Sequence, residues 1–153
     1  MDGDPSTVNL DPYLDPIGIW TIGWGHAIRD PISGKFLKGK ALALQAKNLY
    51  PDGLTTEQAE SLLTADLLDA CRDVNALCKV PLTDNQFSAL VSFEFNCGGL
   101  GRSTLLRKLN TADYVGAADQ LRRWVRGRDP HGQLITLPGL VSRREDERDL
   151  FLS

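Results

Sequence analysis

The sequence predicts an α+β chain: a small β-hairpin lobe over about residues 12–50, a larger all-helical lobe over about 55–153, and a cleft between them. Three observations carry this. β-branched and aromatic residues interrupted by turn residues fill the stretch from Ile17 to Gly39. From Thr55 onward, two capping boxes open segments whose apolar residues recur at spacings of three and four. Between the two patterns, Pro51-Asp52-Gly53 is a loop. A length of 153 residues suits a single domain, residues 1–153, with a substantial core.

Taken in order, Ile17-Gly18-Ile19-Trp20-Thr21-Ile22 reads as a strand, and Gly23-Trp24-Gly25-His26 continues it. Glycine weakens a strand interior, so the two glycines predict a close approach of the backbone to something. Asp15-Pro16 and Gly18 supply turn chemistry just before the strand. Asp30-Pro31 and Ser33-Gly34 mark later turns, and Ala41 to Tyr50 is helix-prone without a clear stripe.

Thr55 with Gln58 forms the first capping box, and Ala59, Leu63, Leu67, Ala70, Val74 and Leu77 form one stripe of a long helix ended by Val80-Pro81. Thr83 with Gln86 repeats the device for a helix through Phe87, Leu90 and Val91, stopped at Gly98-Gly99. Two helices follow, Ser103 to Leu109 and about Thr111 to Val125, with Gly127 as a C-terminal cap. Asp129 to Leu137 is a loop before a last helix through Leu140, Val141 and Leu150.

A net charge of −3 argues against a nucleic-acid binder. The charge is uneven: residues 1–100 carry 7 basic and 13 acidic side chains, and residues 101–153 carry 10 and 7. The arginines 122, 123, 126, 143, 144 and 148 read as solvated helix faces, although a positive C-terminal portion also suits an anionic polymer. No apolar run is long enough to span a bilayer, and no secretion signal is seen at the N-terminus. Cys71 and Cys78 lie seven residues apart on a predicted helix, a rise of about 10.5 Å, beyond the ~7 Å reach of a disulfide. With Cys97 they read as buried thiols of a reducing compartment. The only histidines are His26 and His131, and no metal-ligand spacing occurs, so neither metal nor cofactor is expected.

The run from Tyr13 to His26 (YLDPIGIWTIGWGH) resembles the active-site hairpin of phage-type lysozymes, the endolysin or muramidase glycoside hydrolases. Gln86 to Gly98 (QFSALVSFEFNCG), Ser103 to Asn110 (STLLRKLN), and Trp124 with Gly139 to Glu147 (GLVSRREDE) resemble the family in the same order. The resemblance implies a lysozyme-like fold and cleavage of peptidoglycan glycan strands during host lysis. It also implies synthesis in the host cytoplasm and action on the wall, in the periplasm, after membrane release through a holin-type pore. No cofactor is implied, and a monomer is expected.

Glycoside hydrolysis takes two acidic groups flanking the bond, one to protonate the leaving oxygen and one to activate water or attack the sugar. By resemblance, Asp15 and Thr21 hold and polarise a water on the face of the sugar opposite the acid; a turn-stabilising role is the other reading of Asp15. His26, Asn96 and Trp24 are the residues expected to bind substrate: His26 closes the family's hairpin pattern, Asn96 matches a family position that lines the cleft, and Trp24 can stack on a sugar. Each also has a structural reading: hydrogen-bond partner, helix-terminal amide and core aromatic respectively. Trp124, on an apolar stripe, reads as core.

Counting back from Tyr13, the family's general-acid glutamate falls on Ser6, and the glycine after it on Thr7. The family opens with a helix that presents this acid, whereas Gly3 and Pro5 disfavour one here. Asp2, Asp4, Asp11 and Glu94 are the nearest alternatives, and none combines reach to the glycosidic oxygen with the partial burial that keeps an acid protonated. Three readings follow: an active lysozyme whose N-terminal part is altered or missing, an inactive relative that binds glycan or a partner, or an acid supplied by another chain.

Overall fold

The computed structural model describes residues 8–129 and 131–153. The chain divides into two compact units. The first contains the residues up to Asp66 together with Arg128–Leu134; the second contains Leu67–Gly127 and Ile135–Ser153.

In the first unit, strands β1 (Asn9–Leu14), β2 (Trp20–Gly23) and β3 (His26–Ala27) form an antiparallel sheet in the order β1-β2-β3. Tyr13 pairs with Thr21, and Ile22 with His26. β1 precedes the first strand expected from the sequence, which starts at Ile17, and it contains Pro12. As an edge strand with an irregular register between Asn9 and Tyr13, β1 tolerates a proline that offers no N–H. The expected continuous strand through His26 is corrected too, since Gly23-Trp24-Gly25 turn the chain between β2 and β3. Gly23 and Gly25 hold φ of 69° and 89°, the left-handed region that a side chain disfavours. A Cβ on Gly23 would meet Ala59 and Leu54 at an ordinary 3.6 Å. Backbone conformation, not close approach, is what calls for glycine there.

Trp20, Ile22, Ile28, Leu37 and Ala46 form this unit's core, with Leu14, Tyr50, Leu54 and Leu62 packed against it. The Trp20 indole donates to the Gly39 carbonyl at 2.9 Å, which satisfies its buried N–H. The helix-prone stretch forms α1 (Ala43–Leu49).

Helix α2 (Thr56–Leu77) gives its first half to the first unit and its second half to the second. Its capping box is present as predicted: Thr55 Oγ1 accepts from Gln58 N at 3.1 Å, and Gln58 Oε1 accepts from Thr55 N at 2.9 Å. In the second unit, Thr83 and Gln86 make the same reciprocal pair for α3 (Asp84–Cys97), and Gly98 closes it at φ 62°. Leu90, Phe93, Leu100, Leu105, Leu109 and Phe151 are among the core residues of this unit, with Trp124 packed edge-on to Phe93 at 5.3 Å.

Helix α4 spans Thr104–Asn110. The single helix expected over about 111–125 is shorter, α5 (Tyr114–Gln120), followed by a 3-10 turn, Leu121–Arg123. Ala112 takes a left-handed φ of 65°, and Asp113 caps α5 by accepting from Gly116 N at 2.9 Å. Gly127 is not a helix cap. It lies in β4 (Arg126–Arg128), which pairs with β5 (Leu134–Thr136) inside the expected loop. The last helix, α6, spans Pro138–Leu152, with proline in the first turn where no N–H is needed.

Candidate active site

The hairpin of the first unit concentrates chemistry around Ile19. Asp15 opens a tight turn in which its carbonyl accepts from Gly18 N at 3.0 Å and its own N–H donates to Ile19 O at 2.9 Å. Its side-chain Oδ1 accepts from Ile17 N at 3.0 Å and Ile19 N at 2.8 Å. Oδ1 is thus held by two backbone donors, and the Gly18 N–H also acts on the carboxylate. Burial pushes the Asp15 carboxyl above its ordinary range, and the backbone N–H bonds pull partly the other way. The neighbouring Tyr13 phenol is also raised, by burial first and then by the Asp15 charge.

Thr21 is buried on β2, and its Oγ1 donates to Ile19 O at 3.0 Å. With its proton committed to that carbonyl, the hydroxyl is left as an acceptor. Asp15 and Thr21 are therefore tied through the N–H and C=O of one residue. Each keeps acceptor capacity on its side-chain oxygens.

His26 begins β3, and its Nδ1 lies 2.9 Å from Asp66 Oδ2 on α2, each side chain a little under one third exposed. Sequence reading missed Asp66. The signal was available, because Asp66 falls four residues after Leu62 and seven after Ala59, on the helix face that packs against the hairpin core. A carboxylate on such a face asks for a partner. Asp66 also contributes, after burial, to raising the Tyr50 phenol.

Trp24 is half-buried in the turn, and its indole N–H is buried with no hydrogen-bond partner among the described residues. Ser6, the position counted as the general acid, lies outside the described residues.

The remaining candidates lie in the second unit, each among its own neighbours. Asn96 is exposed near the end of α3, and its Oδ1 accepts from Arg144 Nη2. Arg144 is only 1% exposed. It also donates to Glu147 Oε1 at 2.7 Å and to the Trp124 carbonyl at 2.9 Å, with its guanidinium 5.0 Å from the Phe93 ring. Glu147, also buried, accepts from Ser92 Oγ at 2.6 Å and from Arg143 at 3.3 Å. The expectation that Arg144 lies on a solvated face is corrected, whereas the Arg143 side chain stays 36% exposed. Arg144 is a core residue, because one guanidinium satisfies three acceptors there. Glu94 is buried as well. Its Oε1 accepts from Leu100 N at 3.1 Å beyond the end of α3, and burial first, then Asp73, raises its carboxyl. The three cysteines are free thiols; burial pushes Cys78 up to about 11.

Comparison with known proteins gives a consistent result. The family described as Phage lysozyme matches residues 6–147. An endolysin of Acyrthosiphon pisum secondary endosymbiont phage 1 is 36% identical over 148 residues, covering 95% of this chain and 88% of the relative. The endolysin from Escherichia coli O157:H7 phage FAHEc1 superposes with a TM-score of 0.72 at 34% identity, covering 97% of this chain and 86% of that one. The muramidase domain of SpmX from Asticaccaulis excentricus gives a TM-score of 0.69 at 32% identity, over 97% and 90%.

Proposed function

Because this chain belongs to the phage lysozyme family, we propose that it cleaves peptidoglycan glycan strands, with Asp15 and Thr21 holding the hydrolytic water. The observation that carries this reading is the double attachment of Asp15 and Thr21 to Ile19. It ties a carboxylate on the turn to a hydroxyl acceptor at the start of β2, in the roles expected of the family's catalytic aspartate and threonine. Ionised Asp15 accepts a water proton through Oδ2 as the water oxygen bonds to the anomeric carbon and the glycosidic C–O bond breaks, the leaving oxygen taking its proton from solvent water, while Thr21 Oγ1 accepts a hydrogen bond from the water's second proton and sets its direction. His26 supports the hairpin through Asp66, and Trp24 and Asn96 contact the glycan.

The substrate lies beyond the cytoplasmic membrane. No helix among the described residues is long and apolar enough to cross a membrane. In this reading the protein meets the periplasmic wall at the release step of host lysis. A second reading is favoured by Ser6 at the counted general-acid position: a glycan-binding relative that does not cleave. Clearing of permeabilised Gram-negative cells by this chain and by Asp15→Ala tests the first reading. Equal clearing would remove Asp15 from the mechanism. Retention on insoluble peptidoglycan without release of reducing ends would favour the second reading.

A further inference from the structure

Residues 16–51 hold five cationic side chains, at positions 29, 35, 38, 40 and 47, against a single acid, Asp30, in a chain of net charge −3. All five are exposed, and none makes an ion pair with a described residue. The acid is consumed internally. Asp30 Oδ1 accepts from Ile32 N at 2.8 Å and Ser33 N at 3.3 Å, and Oδ2 accepts from Gln45 Nε2 at 3.2 Å. These bonds set the turn from Asp30 to Gly34 and pin it to α1.

What the turn presents is apolar. Ile32 at its tip is 96% exposed, and Leu44, beside Gln45 on α1, is 71% exposed. At the base of the turn, the Arg29 guanidinium lies 4.0 Å from the Phe36 ring and donates to Gly34 O at 2.8 Å. Lys47, three residues after Leu44 on α1, shares its helical face, and Lys40 opens the 3-10 turn that leads into α1. Isolated exposed apolar residues are ordinary. Two of them lie on segments that the Gln45–Asp30 bond joins, in a stretch whose five exposed cations make no ion pair with a described residue, which gives this region two chemistries.

We propose that this end of the first unit docks on an anionic phospholipid surface, with Ile32 and Leu44 entering the boundary between headgroups and acyl chains and the five cations meeting lipid phosphates. A soluble polyanion would match the cations and leave Ile32 without a partner; an anionic bilayer matches both. Each basic side chain near such a surface strengthens binding about fivefold, and the attraction is screened by salt. One inserted isoleucine adds a modest, reversible contribution.

The test is co-sedimentation of the full chain with large unilamellar vesicles of phosphatidylcholine, alone or mixed with phosphatidylglycerol, at low and high salt. Binding is expected only to the anionic vesicles and is lost at high salt. Ile32→Ser weakens it several-fold, and Lys35→Glu with Lys38→Glu weakens it more than about tenfold. Both variants keep the parent melting temperature, since the replaced side chains are exposed. Failure to sediment with anionic vesicles overturns the proposal. So does binding that Ile32→Ser leaves unchanged, or binding that heparin matches with the same indifference to Ile32, because a charge-only site needs no apolar tip.

Discussion

Asp15 and Thr21 grip the same residue from two sides: the Ile19 N–H donates to Asp15 Oδ1 at 2.8 Å, and the Ile19 carbonyl accepts from Thr21 Oγ1 at 3.0 Å. A displacement of one functional group is transmitted to the other through a single residue. The cost is borne by Asp15, whose carboxylate is held in a half-buried turn that raises its pKa.

Asp15→Asn therefore separates stability from activity. The amide oxygen still accepts from Ile17 and Ile19, and the buried negative charge is gone. Because the folded-state pKa of Asp15 is raised, its contribution favours folding below the unfolded value near 3.8 and is lost as pH rises through the folded value. Relative to the parent, Asp15→Asn gains stability above that window and has no such advantage below it. Thermal melts of both chains at acidic and neutral pH check this, and a variant less stable than the parent at neutral pH would contradict it.

Thr21→Val removes the hydroxyl while keeping the shape. The Ile19 carbonyl retains its bond from Asp15 N, so the stability loss should be about 1 kcal/mol. The loss of activity should be at least about tenfold, because the water has lost an acceptor. Thr21→Ser should recover most of the rate. Denaturant melts and a cell-clearing assay on the three chains separate the two effects.

Asp66→Asn tests the link between the hairpin and α2. The His26–Asp66 pair is partly exposed, which places its coupling at roughly 0.5–1 kcal/mol. A double-mutant cycle with His26→Gln measures it, and a coupling near zero would show that the two side chains are held independently.

Arg144→Met should be the most destabilising single change, at roughly 3–5 kcal/mol, because it leaves Glu147 buried without its main partner. Arg144→Met with Glu147→Leu should recover much of the loss, since the pair's desolvation is removed along with its attraction. Equilibrium unfolding in urea decides between this and a simple loss of contacts, for which the double variant would be the worse of the two.

Local signals were the most legible part of this chain. The capping boxes at Thr55 and Thr83 stand where the sequence places them, because each is complete within four residues. The turn at Asp15 was readable for the same reason. Contacts made over long sequence separations were not. The Asp66 partner of His26 lies 40 residues away, and the burial of Arg144 depends on Asn96, 48 residues earlier. In the RREDE stretch (143–147), charge pattern alone suggests a solvated face, and only the tertiary acceptors make a buried arginine affordable. The break ahead of α5 was hidden because Ala112, a strong helix former, adopts a left-handed conformation there.

Release of reducing ends from purified peptidoglycan, followed for the parent chain and Asp15→Asn under the same conditions, tests the central claim most directly. The parent should release reducing ends. Asp15→Asn, folded and still retained on the polymer, should fall by about 10²- to 10⁴-fold, the usual worth of a positioned acid or base. Equal release by the two chains, or none from the parent, would contradict the assignment of Asp15 and Thr21 as the pair that holds the hydrolytic water.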